Sequence, residues 1–171
     1  MHRGFRVLNG ETPPTRCVRR LAHRPPMYPF HPLTVHLPIG LLIGHAILTL
    51  LYLRRGDRAV ETSAYHCLWL GWLLTLPAVL TGTVSAAQQL MGAAPREDAL
   101  GWINAHAGAG IALVVVYWRV WQARRRNPAV LDDPRTRRGY LAQVGLGVAL
   151  LLVSGWLGGH MVYSLGVGVD R

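Results

Sequence analysis

Four apolar runs decide what this chain can fold into. Residues 33–53, 65–87, 103–121 and 140–157 are nearly free of charge, and each is close to the ~20 residues that span a hydrocarbon core of about 30 Å. In lipid the backbone must satisfy its own hydrogen bonds, and segments of this length do so as helices. The connections, residues 54–63, 88–102 and 124–139, are short, which favours an up-down order of neighbours. The fold class is therefore all-α: an integral membrane antiparallel four-helix bundle, residues 31–171, preceded by an extended arm, residues 1–30. Only 15% of the 171 residues are charged and 51% are hydrophobic, whereas soluble domains carry about 25% charge.

The formal charge is +10, and all 18 basic residues are arginine. They cluster between the apolar runs instead of along one helix face, so they read as orientation signals that meet anionic headgroups. No nucleic-acid partner is expected; the bilayer, other membrane subunits and redox partners are. Nine arginines lie in the first and third connections against six near the other face. That places both termini outside, which is periplasmic for a chain of a bacterial inner membrane. The arm holds Pro13, Pro14, Pro25, Pro26 and Arg24 and reads as an extended segment on headgroups. The first span would serve as its own insertion signal. Trp102, Trp118, Trp121, Tyr117 and Tyr140 fall near span ends, as an interfacial aromatic belt does. Cys17 and Cys67 have neither metal spacing nor a disulfide framework.

The chemistry rests with histidine. In an antiparallel bundle odd helices start, and even helices end, on one side. His31 and His36 at the first span, His106 at the third and His160 after the fourth therefore share one membrane face. The opening motif His31-Pro32-Leu33-Thr34-Val35-His36-Leu37-Pro38-Ile39-Gly40 puts Pro38 where a first-turn proline costs no hydrogen bond. His36 has Gly40 four residues on, and His106 has Gly110 four residues on. Positions i and i+4 share a face, so each imidazole has bare backbone below it, as a flat macrocycle requires. The expectation is one b-type haem with His36 and His106 as axial ligands to its iron. Gly40 and Gly110 make room, His160 is the substitute ligand, and Arg24, Arg96 or His31 meets the propionates.

Other readings stand beside this one. Gly40 with Gly44, and Ala105 with Ala109, are also small-residue patterns that let membrane helices approach. His45, nine residues beyond His36, points to the opposite side of the same helix; it is expected to make an interhelical hydrogen bond. His66 beside Cys67 reads as a capping or interface pair. Three imidazoles and water could bind zinc, with Glu97 or Asp98 as the supporting carboxylate. Asp57 and Glu61 are read as loop residues, leaving no buried carboxylate for a transporter. No Ser-His-Asp set, phosphate loop or dinucleotide fingerprint is present. Gly158 and Gly159 are expected to end the fourth helix, after which the apolar tail folds back over the bundle mouth.

The opening motif, together with Leu157-Gly158-Gly159 and Leu165-Gly166-Val167-Gly168-Val169, resembles the bacterial four-helix membrane domain called DUF2231, over about residues 30–169. The resemblance implies a membrane module sometimes joined to Rieske or cytochrome c units, and so an electron-transfer setting. It carries no role onto His160, which stands where relatives are expected to have an acidic or other polar residue. The function expected is electron transfer by a membrane haem protein within a respiratory or photosynthetic complex, not stand-alone enzyme activity. The rival is an accessory membrane subunit without cofactor.

Overall fold

The computed structural model describes residues 30–91 and 97–167, with the side chain of residue 97 excepted. The arginine-rich arm, with Cys17 and Arg24, lies outside the described residues, as do Arg96 and the last four positions. The chain forms α1 (Phe30–Arg55), α2 (Arg58–Met91), a short 3₁₀ turn (Glu97–Ala99), α3 (Leu100–Arg126) and α4 (Pro134–Tyr163). Successive helices pack side by side, and α4 closes against α1. All four helices are long and apolar enough to cross a membrane.

Each helix outruns its apolar stretch because the polar residues at its ends continue the turn. Only two residues separate α1 from α2. Gly56 adopts φ 69°, a left-handed conformation that glycine takes without steric cost. Asp57 then caps α2 by accepting from the Ala59 amide at 2.8 Å. The residues from Arg58 to Ser63 are thus the first turns of α2, not a loop. At the other hairpin, Asp133 accepts from the Arg135 amide at 2.9 Å, and Pro134 occupies the first turn of α4, where its missing donor is harmless.

Pro38 departs from expectation. Helix α1 starts at Phe30, so Pro32 takes the first-turn position and Pro38 lies inside the helix. The fourth helix also runs through Gly158 and Gly159 to Tyr163. It is Gly166, at φ 64°, that turns the chain. Leu165 and Val167 then pack on Ala99, Ile103 and Met161, so the described part of the tail does fold over the bundle mouth.

The core runs through Leu42, Leu68, Leu113, Val120, Val144 and Leu151. Two glycines let helices close in. A Cβ on Gly71 would come 2.8 Å from Leu42, and one on Gly147 would come 2.7 Å from the Tyr117 ring. Tyr117 is 1% exposed and Tyr140 2%, so these two are core residues, not belt residues. Tyr117 lies on the inward stripe of α3 between Leu113 and Val120. Large apolar side chains such as Leu37, Ile47, Leu80, Ile111, Leu152 and Trp156 point outward, as lipid-facing positions should.

Polar side chains brace the interior. The His45 Nδ1–H donates to the Ala64 carbonyl at 2.9 Å. Its Nε2 accepts from the Tyr140 hydroxyl at 3.2 Å. One imidazole thereby ties α1 to α2 and α4, which is the interhelical role expected of it. At the arginine-rich face, Glu61 forms an ion pair with Arg124, and the Arg124 Nη1 donates to the Pro128 carbonyl at 2.8 Å. The Asp132 carboxylate accepts from the Tyr52 hydroxyl at 2.6 Å and from Arg58 at 2.8 Å.

The Arg58 guanidinium first, and the Tyr52 hydroxyl second, hold the Asp132 carboxyl below the usual carboxylate range. A depressed folded-state value means that its stabilisation is complete above the unfolded-state pKa of about 3.9. That stabilisation disappears as pH falls through the lower folded-state value. An acid titration of the unfolding midpoint should therefore drop below about pH 4, and Asp132→Asn should show a smaller drop from a lower starting point.

Candidate functional site

The histidine-bearing face is built from α1, α2, α3 and the end of α4. His31 and His106 meet there, with ring centroids 6.1 Å apart and ring planes at 81°. His31 reaches from α1 to α2, where its Nδ1–H donates to the Ala78 carbonyl at 3.0 Å. His106 reaches from α3 to α4, where its Nδ1–H donates to the Ser154 carbonyl at 3.1 Å. A carbonyl can only accept, so both rings carry their proton on Nδ1 and present Nε2 as a lone pair.

Each ring also lies over a glycine of the neighbouring helix. A Cβ on Gly82 would come 2.9 Å from His31 Cε1, and one on Gly158 would come 3.3 Å from His106 Cε1. The hydroxyls of Thr34 and Thr81 share a 2.9 Å hydrogen bond beside this pair. The imidazole and bare-backbone pairing is thus present, but it is made across helix interfaces instead of one turn along the same helix.

It is His31, and not His36, whose ring meets His106. Five residues separate the two histidines of α1, about 140° around the helix axis. With His31 turned inward, His36 is exposed and its Nδ1–H donates to the Pro32 carbonyl of its own helix. Gly40 is exposed and has nothing within 4 Å of a built Cβ, while Gly110 faces Val79 of α2 at 3.7 Å. His160 lies apart from the pair, packed on Trp102 at 4.3 Å and parallel to Trp156 at 5.7 Å between centroids. Leu165 and Val167 of the tail, partly buried, pack against Ala99, Ile103 and Met161. His66 is exposed and donates to the Thr62 carbonyl at 2.8 Å. Among the described residues no three His, Cys, Asp or Glu side chains converge as a metal set.

A family model described as predicted membrane protein (DUF2231) matches residues 27–171. The chain belongs to the DUF2231 family. That match takes in all four helices and the opening and closing motifs. No curated protein and no solved structure matches this DUF2231 chain.

Three participants at the DUF2231 histidine face were not singled out as such from the sequence: Gly82, Gly158 and the inward role of His31. A signal for the last existed. His31, Thr34, Pro38, Leu42, His45, Thr49 and Tyr52 follow one another at spacings of three or four residues, the period of a single helix face. Once His45 is taken as an inward residue, His31 falls on its side of α1 and His36 on the other.

Proposed function

We propose that this membrane protein carries one b-type haem at its histidine-bearing face and passes electrons within a respiratory or photosynthetic assembly. The observation that supports this is the His31 and His106 pair. The two imidazoles come from α1 and α3 and stand at one face with ring centroids 6.1 Å apart, so both could serve one iron. Two neutral imidazoles, each with Nε2 as its lone pair, are a fitting donor set for haem iron.

His31 and His106 would hold the iron in place of the His36 and His106 set. The Ala78 and Ser154 carbonyls fix each tautomer and make the ligating nitrogen more basic. Gly82 and Gly158 leave room for the rings, and Leu165 and Val167 pack at the same end of the bundle. When bound, the haem supplies one-electron exchange at its iron. By the arginine excess, the opposite face is the cytoplasmic one and both termini are periplasmic.

A reduced-minus-oxidised difference spectrum of the purified protein, followed by pyridine extraction, tests this reading. A b-type signal supports it. A colourless protein purified from haem-replete cells overturns it in favour of an accessory subunit whose histidines brace helices, as His45 already does.

A further inference from the structure

The outward face shared by α2 and α3 holds two grooves in line. The first, about 610 Å³, opens at the arginine-rich end between Arg58, Thr62 and Tyr65 of α2 and Arg125 of α3. The second, about 420 Å³, is apolar and lined by Trp72, Val114, Val115 and Trp118. Tyr65 stands seven residues from Arg58 and seven from Trp72, and Trp118 stands seven from Arg125. Positions seven apart share a helix face, so the two grooves form one track.

The charge along this track is uneven. The first groove gathers Arg58, Arg124 and Arg125 against Glu61 and Asp132. Arg124 is taken by Glu61, and Arg58 binds Asp132 at 2.8 Å and faces Glu61 at 3.6 Å. Arg125 meets no carboxylate among the described residues; its guanidinium lies over the Trp121 ring at 4.9 Å. Arg54, Arg55, Arg126 and Arg135 are exposed on the same end. The junction between the grooves is aromatic: Trp72 stacks on Trp121 at 5.1 Å and meets Trp118 at 4.9 Å. The Trp72 indole N–H is spent on the Val114 carbonyl at 3.2 Å, so its apolar faces are what the track presents. From Arg125 to Val114 the helix rises about 16 Å, close to the roughly 15 Å of one leaflet's hydrocarbon.

We propose that this track binds one anionic phospholipid, its phosphate at Arg125 with the Tyr65 hydroxyl beside it, and an acyl chain along Trp72, Val114, Val115 and Trp118. A cation at headgroup level, above an aromatic step and an apolar channel one leaflet deep, matches the order of groups along such a lipid. A zwitterionic lipid brings its own cation and gains less from Arg125.

The full chain in nanodiscs of phosphatidylcholine, doped with phosphatidylglycerol brominated on its acyl chains, tests the proposal through quenching of tryptophan fluorescence. Brominated phosphatidylglycerol should quench more than brominated phosphatidylcholine at equal mole fraction. Arg125→Gln, an exposed change that breaks no ion pair, should weaken the preference about fivefold. Val115→Ser, in the apolar groove, should weaken it while leaving the helical circular dichroism intact. Equal quenching by the two lipids, or an unchanged preference in Arg125→Gln, would overturn the proposal. So would full suppression of the preference by free glycerol phosphate, which would mark a site for the anion alone.

Discussion

Glu61→Gln is expected to lower the unfolding free energy by about 3 kcal/mol, the low end of the range for removing one partner of a buried ion pair. The Arg124 side chain is 6% exposed and that of Glu61 13%, and a guanidinium cannot escape by losing its proton. The Pro128 carbonyl, its other partner, is neutral and does not replace the lost charge. Glutamine keeps the shape and one acceptor, so the loss comes from the charge and not from a cavity. Replacing both residues, Glu61→Leu with Arg124→Leu, should recover most of the loss, because it removes the desolvation cost along with the attraction. Unfolding in mild detergent with increasing sodium dodecyl sulfate measures both. A shift below about 0.5 kcal/mol for Glu61→Gln would place the pair among ordinary surface contacts.

On the proposed haem site, Gly82→Ala is expected to abolish cofactor binding while leaving the bundle folded. The added methyl would sit 2.9 Å from His31 Cε1, 3.2 Å from Nδ1 and 3.4 Å from Nε2. The ring must swing away, and the Nδ1 bond to Ala78 that fixes its tautomer breaks with it. The cost to the fold is that of modest overpacking, about 1–3 kcal/mol, and His31 is half-buried, so its ring has somewhere to go. Gly40→Ala is the comparison. Nothing lies within 4 Å of a Cβ there, and both stability and any haem signal should be unchanged. Equal haem content in Gly82→Ala and the parent chain would dissociate His31 from the cofactor.

Much of the architecture could be read directly. Four apolar stretches of bilayer length admit few folds, and an antiparallel order puts His31, His106 and His160 at one end wherever the helices begin. The interhelical bond of His45 was also legible, since a polar side chain at mid-membrane depth needs a partner on a neighbouring helix. What escaped was set by capping and rotation. Asp57 looks like one loop residue among several, but as a cap it starts α2 early and carries Glu61 into the helix, beside Arg124. Tyr117 and Tyr140 lie close to span ends, yet the helix face that holds each one turns inward, and this outweighs depth. A glycine on the histidine's own helix points to His36, whereas the rotation of α1 turns the His31 ring toward His106. The glycines that accommodate the rings, Gly82 and Gly158, belong to neighbouring helices, a relation that no spacing within one helix encodes.

Haem ligation by His31 and His106 is tested by the difference spectra of four purified proteins: the parent chain, His31→Ala, His106→Ala and His36→Ala. A b-type signal in the parent and in His36→Ala, lost in His31→Ala and in His106→Ala with helical content intact, is the expected result. A parent protein without pigment, or a full signal that survives in both His31→Ala and His106→Ala, would contradict it.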